Sequence, residues 1–255
     1  VEAEGENNVV RTDEREGVSL PFVVRAGLPT WLVAGILFAV GFGVLLGNVQ
    51  HLRRVPGFDD PRWNGDLDGS YAELAGHGVL VIASLLLVAL ALRLRSGWAY
   101  GAWALVLAGL AVDDFFLLHE RGGEHLAAAL SLPSVLNLRP VDLGELLVWA
   151  AEAAILGMVL VLAHAASSHS VRRDSWSLLA LMVVLALFAV LIDMVHIAVE
   201  SGISQRANSI FALVETAGEL GVMALILLRV VQISLRTGPS AFDSGGGGGS
   251  RARRH

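Results

Sequence analysis

Cysteine is absent from the 255-residue chain. That excludes disulfides, thiolate metal ligands and a cysteine nucleophile, and it removes any redox clue to compartment. Lysine is absent too, so arginine alone carries fixed positive charge. Charged residues are scarce at 16%, and the net charge of −6 argues against nucleic acid as a partner. No leader pattern opens the chain: residues 1–29 carry Glu2, Glu4, Glu6, Asp13, Glu14 and Glu16 where a cleavable signal would have a basic start and an apolar stretch. The first apolar run is therefore expected to be retained.

What the chain has instead is apolar sequence in long unbroken runs, with 55% hydrophobic residues. Six runs, 31–50, 72–94, 98–118, 143–163, 176–199 and 209–233, each reach the roughly 20 helical residues that cross about 30 Å of hydrocarbon. None alternates as a barrel strand would, and only helices or closed barrels satisfy the backbone in lipid. The expected fold is all-α, a polytopic integral membrane protein with six transmembrane helices in one bundle over residues 30–236. A disordered acidic tail (1–29) and a disordered glycine-rich basic tail (237–255) are expected to flank it.

Six spans put both termini on one side. Twelve of the 18 arginines fall on that side, several of them in the tails, so the termini are expected in the cytoplasm and the protein in the plasma membrane. Trp31, Trp98 and Trp176 open three spans, where indole rings anchor helices at an interface. The longer loops, 52–70 and 121–142, then lie outside, placed to cover a site.

Polar residues crowd that outer end. The first span has Asn48 and His51, the second Glu73 and His77, the third Asp113, Asp114, His119 and Glu120. The fourth has Glu145 and Glu152, the fifth Asp193, His196 and Glu200, and the sixth Glu215 and Glu219. The inner halves, such as 79–92 and 176–192, hold no charge. Spacings of three, four or seven give each helix one polar stripe. At about 1.5 Å per residue, Asp113, Glu152, Asp193 and Glu219 lie roughly 10 to 15 Å below the outer ends, in one layer. An unpaired charge at such depth costs roughly 2.5 to 3.5 kcal/mol, which points to function. Glu73, Glu120, Glu145 and Glu200 are shallow enough to reach water. His119 sits about 120° around the helix from Asp113, so the two meet only if the helix end unwinds or a neighbour reaches over.

Ten carboxylates share this layer and its rim, while no arginine lies in the outer half of any span. Bound protons or bound cations must neutralise them. Among four histidines, His51, His77, His119 and His196, the ligand set suits a divalent metal ion, zinc first and iron or manganese next. The candidate metal ligands are His77, Asp113, His119, Glu120, Glu152, Asp193, His196, Glu200, Glu215 and Glu219, with Asp113 and Asp193 as candidate catalytic groups. A hydrolytic zinc site takes about three protein ligands and an open position, which His77, His119 and His196 could supply.

Several partial patterns accompany the layer. Val112-Asp113 with Glu120 parallels Ile192-Asp193 with Glu200, and each precedes a span with two glutamates, so spans 3–4 and 5–6 read as a duplicated hairpin. Asp193-x-x-His196 is half of a dimetal carboxylate motif. The stretch NGDLDGSYAE at 64–73 imitates a calcium loop, but Ala75 stands where its bidentate Glu belongs, and turn chemistry accounts for it. His164 and His169, near Arg172 and Arg173, read as interfacial residues. Gly144, Gly157, Gly218 and Gly221 read as close helix contacts.

The run DDFFLLHE at 113–120, with VETAGELG at 214–221, resembles a signature of uncharacterised prokaryotic multi-pass membrane proteins, and this likeness implies no activity. In outline the chain is also similar to the intramembrane zinc hydrolases of the ceramidase and adiponectin-receptor type. That likeness implies His and Asp ligands drawn from several spans. The chain departs from that type in having six spans, not seven, and no His-x-x-x-His pair.

The leading functional expectation is a membrane-embedded, metal-dependent hydrolase with its site near the extracytoplasmic face. Membrane lipids surround it, and a lipid or another membrane-borne small molecule is its substrate. Redox chemistry at a carboxylate-rich iron site is a variant. Two other classes stand beside it: a cation or proton-coupled transporter, and a non-catalytic assembly or accessory subunit. No sequence pattern specifies an oligomeric state.

Overall fold

The computed structural model describes residues 27–237, so the two expected tails lie outside the described residues apart from their inner ends. The helices are α1 (Leu28–Leu52), α2 (Tyr71–Arg93), α3 (Trp98–Phe116), α4 (Leu118–Leu130), α5 (Pro140–Ala165), α6 (His169–Ala186), α7 (Asp193–Glu200) and α8 (Gln205–Arg236). A π-helical turn, Leu187–Ile192, joins α6 to α7, and a 3-10 turn, Pro61–Trp63, lies between α1 and α2. Counting α6 through α7 as one unit, six helices are long and apolar enough to cross a membrane. Among the described residues there is no strand, only an isolated bridge between Val135 and Leu138.

Caps set the starts of the polar-ended helices. Ser70 Oγ accepts the Glu73 N–H (3.2 Å), and Glu73 Oε2 accepts the Gly69 N–H (2.5 Å), so the first turn of α2 is closed reciprocally. Pro140 opens α5, where the fully buried Asp142 accepts the Arg139 N–H (2.6 Å).

The third apolar run stops short of its expected end. Leu117 takes a left-handed conformation (φ 52°, ψ 45°), closes α3 and opens α4, so half of the expected 121–142 loop is helix. Gly123 and Gly144 let α4 lie against α5: a Cβ on Gly144 would overlap the Gly123 backbone, and one on Gly122 would press on Val148. Gly218 likewise accepts the Phe188 ring of the π turn, whereas Gly157 and Gly221 have nothing within 4 Å and are not the close contacts expected of them.

The apolar core lies between α2, α3, α6 and α8, around Leu80, Leu87, Trp103, Leu107, Leu178 and Ile226. Helices α1 and α5 stay at the edge, and large apolar side chains such as Phe38, Leu92, Val161 and Leu162 point outward. At the end opposite the carboxylate-rich helix ends a polar clamp replaces part of the expected charge-free half. The fully buried Asp174 accepts from Tyr100 Oη (2.8 Å), from Arg229 Nη2 (3.1 Å) and from Arg236. Arg229 Nε also donates to Ser177 Oγ (2.9 Å), and Trp103 Nε1 donates to Ser175 Oγ (2.8 Å). Loop 53–70 folds back over the carboxylate-rich end, with Trp63 against Gly47 and Gly65 against Asn48 and Thr216.

Candidate functional site

Asp113 and Asp114 stand about 100° apart around α3, so they face different neighbours. Asp114 Oδ2 lies 2.5 Å from His77 Nε2 on α2. Asp113 turns the other way, where its Oδ1 accepts the His119 N–H (2.8 Å) and its Oδ2 meets His119 Nδ1 (2.7 Å). The left-handed Leu117 is what folds the helix end back and brings His119 over Asp113. The His119 ring lies against Trp149, with centroids 4.8 Å apart.

The Asp114 side of this pair forms the candidate metal centre. His77 Nδ1 is 3.8 Å from Glu73 Oε1, and Glu73, His77 and Asp114 each bring one ligand atom within 4.8 Å of the others. Among the described residues this is the group of three or more that could hold an ion. His77 is 7% exposed and its Nδ1 has no hydrogen-bond partner. A buried polar atom left so costs about 1 to 3 kcal/mol. Beside His77 opens an apolar cavity of about 330 Å³, lined by Val81, Leu85, Val112, Phe115 and Phe116.

Helices α7 and α8 carry the other half of the layer. His196 Nε2 is bonded to Asn208 Oδ1 (2.7 Å), which leaves Nδ1 3.5 Å from Glu215 Oε2, itself buried without a hydrogen-bond partner. The π turn just before Asp193 re-aims the side chains that follow it, as such turns do at functional sites. Asp193 lies within electrostatic reach of Glu215, Glu219 of Asp114 and Glu73, and Glu152 of Asp113 and His119. Glu200 is exposed at the end of α7. Burial pushes the Glu120 carboxyl up, and the charges of Asp68 and Asp114 add to it.

The three histidines expected to share one ion each have a separate partner: Asp114 for His77, Asp113 for His119, Asn208 for His196. Glu73 and Asp114, which were absent from the expected ligand set, complete the cluster on His77. Both had a sequence signal. Glu73 stands four residues before His77 on one face, and two adjacent aspartates cannot face the same neighbour.

These features define a class: an all-helical bundle of six apolar units with a histidine and carboxylate layer near one end. The chain belongs to the family described as Domain of unknown function (DUF8692), which matches residues 55–233. That stretch contains the whole layer except Asn48 and His51, and it leaves out α1. No curated protein and no solved structure matches the chain.

Proposed function

We propose that the protein is a multi-pass membrane enzyme that uses a divalent metal, zinc foremost, at Glu73, His77 and Asp114 to hydrolyse a lipid-like substrate near the extracytoplasmic face. The observation that carries this reading is the meeting of three ligand-type side chains with an apolar cavity that reaches His77. Ligand sites of this kind pair an apolar wall with a few convergent polar groups, and this one suits a polar head with a hydrocarbon chain. The outward-facing apolar side chains and the exposed Trp31, Trp98 and Trp176 support placement in a bilayer.

A divalent ion at such a site supplies Lewis acidity and lowers the pKa of water near it. The protein's own part is proton transfer. Glu73 and Asp114, the carboxylates that flank His77, are the groups beside the cluster that can take the proton from an attacking water and return it to the leaving group. Water's oxygen joins the acyl or phosphoryl centre, the old ester or amide bond breaks, and the leaving atom departs protonated. Phe115 and Phe116, lining the cavity, keep bulk water from the apolar part of the substrate. The transporter reading has less to stand on, because packed Leu80, Leu87, Trp103 and Leu107 fill the space between the outer layer and the Asp174 clamp. The unpartnered His77 Nδ1 and Glu215 Oε2 likewise favour a ligand-taking site over a closed structural network.

The test is a panel of ester, amide and phosphodiester lipids presented in nanodiscs to the full chain, with products followed by mass spectrometry. At least one class should be cleaved, chelation should stop the reaction, and Glu73→Gln should slow it by roughly 10²- to 10⁴-fold. Turnover indifferent to both chelator and variant, or a metal-loaded protein that cleaves none of the three classes, contradicts the reading.

A further inference from the structure

We propose a second binding site, for a phosphate group, at the end of the bundle opposite the carboxylate layer. A cavity of about 420 Å³ opens there between the α2–α3 turn, the start of α6 and the end of α8. Arg95, Ser96, Ser168, His169, Arg173 and Arg236 give it its polar lining, with Tyr100 and Asp174 among its walls. It lies about 20 Å along α3 from Asp114, counting from Tyr100. The inference stands apart from the metal reading and does not need it.

Charge decides what this cavity takes. Asp174 is already engaged by Tyr100, Arg229 and Arg236, so its charge is neutralised within the wall. The arginines that form ion pairs among the described residues are Arg62, Arg139, Arg229 and Arg236, which leaves Arg95 and Arg173 with uncompensated guanidinium groups. Helix α6 also begins here, and its N-cap residue Ser168 makes no cap hydrogen bond; its Oγ lies 3.3 Å from Ser170 Oγ instead. The first N–H groups of a helix left uncapped carry partial positive charge and suit an anion.

Two guanidinium forks (Arg95 and Arg173), an imidazole, three serine hydroxyls (Ser96, Ser168 and Ser170) and a helix start make a donor set with the charge and hydrogen-bonding groups for phosphate oxygens. Leu94 and Val171 line the same cavity, so a phosphate carried on an amphiphile and a free phosphate ion both fit its chemistry. His169, which the sequence pattern gives as an interfacial residue, and its neighbour Arg173 become part of a pocket.

The experiment uses the full chain in zwitterionic nanodiscs with two probes, inorganic phosphate and added phosphatidic acid, read by thermal stability and native mass spectrometry. The variant R95Q/R173Q removes the two unpaired guanidinium groups that line the cavity; R93Q/R172Q removes equal charge from neighbouring positions outside it, all four residues being exposed. Binding should fall about tenfold or more in the first and change little in the second. Retention of phosphatidic acid that inorganic phosphate does not displace identifies a lipid headgroup. Stabilisation by inorganic phosphate alone identifies a free ion. Equal loss in the two double variants, or no binding of either probe by the unsubstituted chain, overturns the site.

Discussion

Asp113 gives both carboxylate oxygens to His119, one to the backbone N–H and one to the ring. Burial by itself would lower the titration of this imidazole, but the hydrogen bond and the charge of Asp113 outweigh it and hold the group above its ordinary 6.5. A folded pKa above the unfolded one means stabilisation that is complete below the unfolded value and fades as pH rises through the folded value. Asp113→Asn should therefore bring the His119 midpoint down and abolish the loss of wild-type stability on the alkaline side of 6.5. Imidazole resonances followed by NMR against pH give the midpoint directly, and an unmoved midpoint would show that Asp113 does not set it. The pairing of His119 with Asp113 was legible as a condition, since the 120° offset requires a broken helix end. The break itself was not legible, because it falls on a leucine inside an apolar run.

That break is the element-scale feature on which the layer depends. A leucine in the left-handed region costs roughly 1 kcal/mol or more relative to glycine, and a β-branched residue costs more. Leu117→Gly should leave thermal stability unchanged or raise it by up to about 1 kcal/mol, while Leu117→Val should destabilise by about 1 to 2 kcal/mol and separate His119 from Asp113. Denaturation midpoints of the two variants in one detergent decide this, and equal midpoints would mean that the turn carries no strain. Element starts were legible in part: the expected starts at Ala72 and Trp98 fall within one residue of those of α2 and α3, whereas α5 begins at Pro140, before Leu143, and α6 at His169, well before Trp176. The π turn at Leu187–Ile192 was not, since LFAVLI is equally apolar in any helical register. Glu73 shows the same limit. Its spacing to His77 was visible, but its weight was not, because that depends on α3 packing beside α2 with Asp114 turned toward His77.

At the scale of the whole molecule, two polar ends enclose an apolar middle whose outer surface is also apolar. The family match begins after α1, the first of the six spans and one of the two held only at the edge, so the layer belongs to the part of the chain that the family describes. The proposed orientation puts the layer outside and the Asp174 clamp inside. Because the chain has no cysteine, single introduced thiols report it cleanly. Asp68→Cys and Ser201→Cys, both exposed, should react with an impermeant maleimide on intact cells, and Ala166→Cys, also exposed, only after permeabilisation. The reverse pattern would place the layer in the cytoplasm.

The central claim is that Glu73, His77 and Asp114 hold a metal ion, and metal content tests it most directly. Elemental analysis of the purified full chain should find zinc, iron or manganese in equimolar amount, and His77→Ala should lose it while the apo form keeps its thermal stability. A wild-type protein free of all three metals, or a His77→Ala protein that retains as much metal as wild type, contradicts the account.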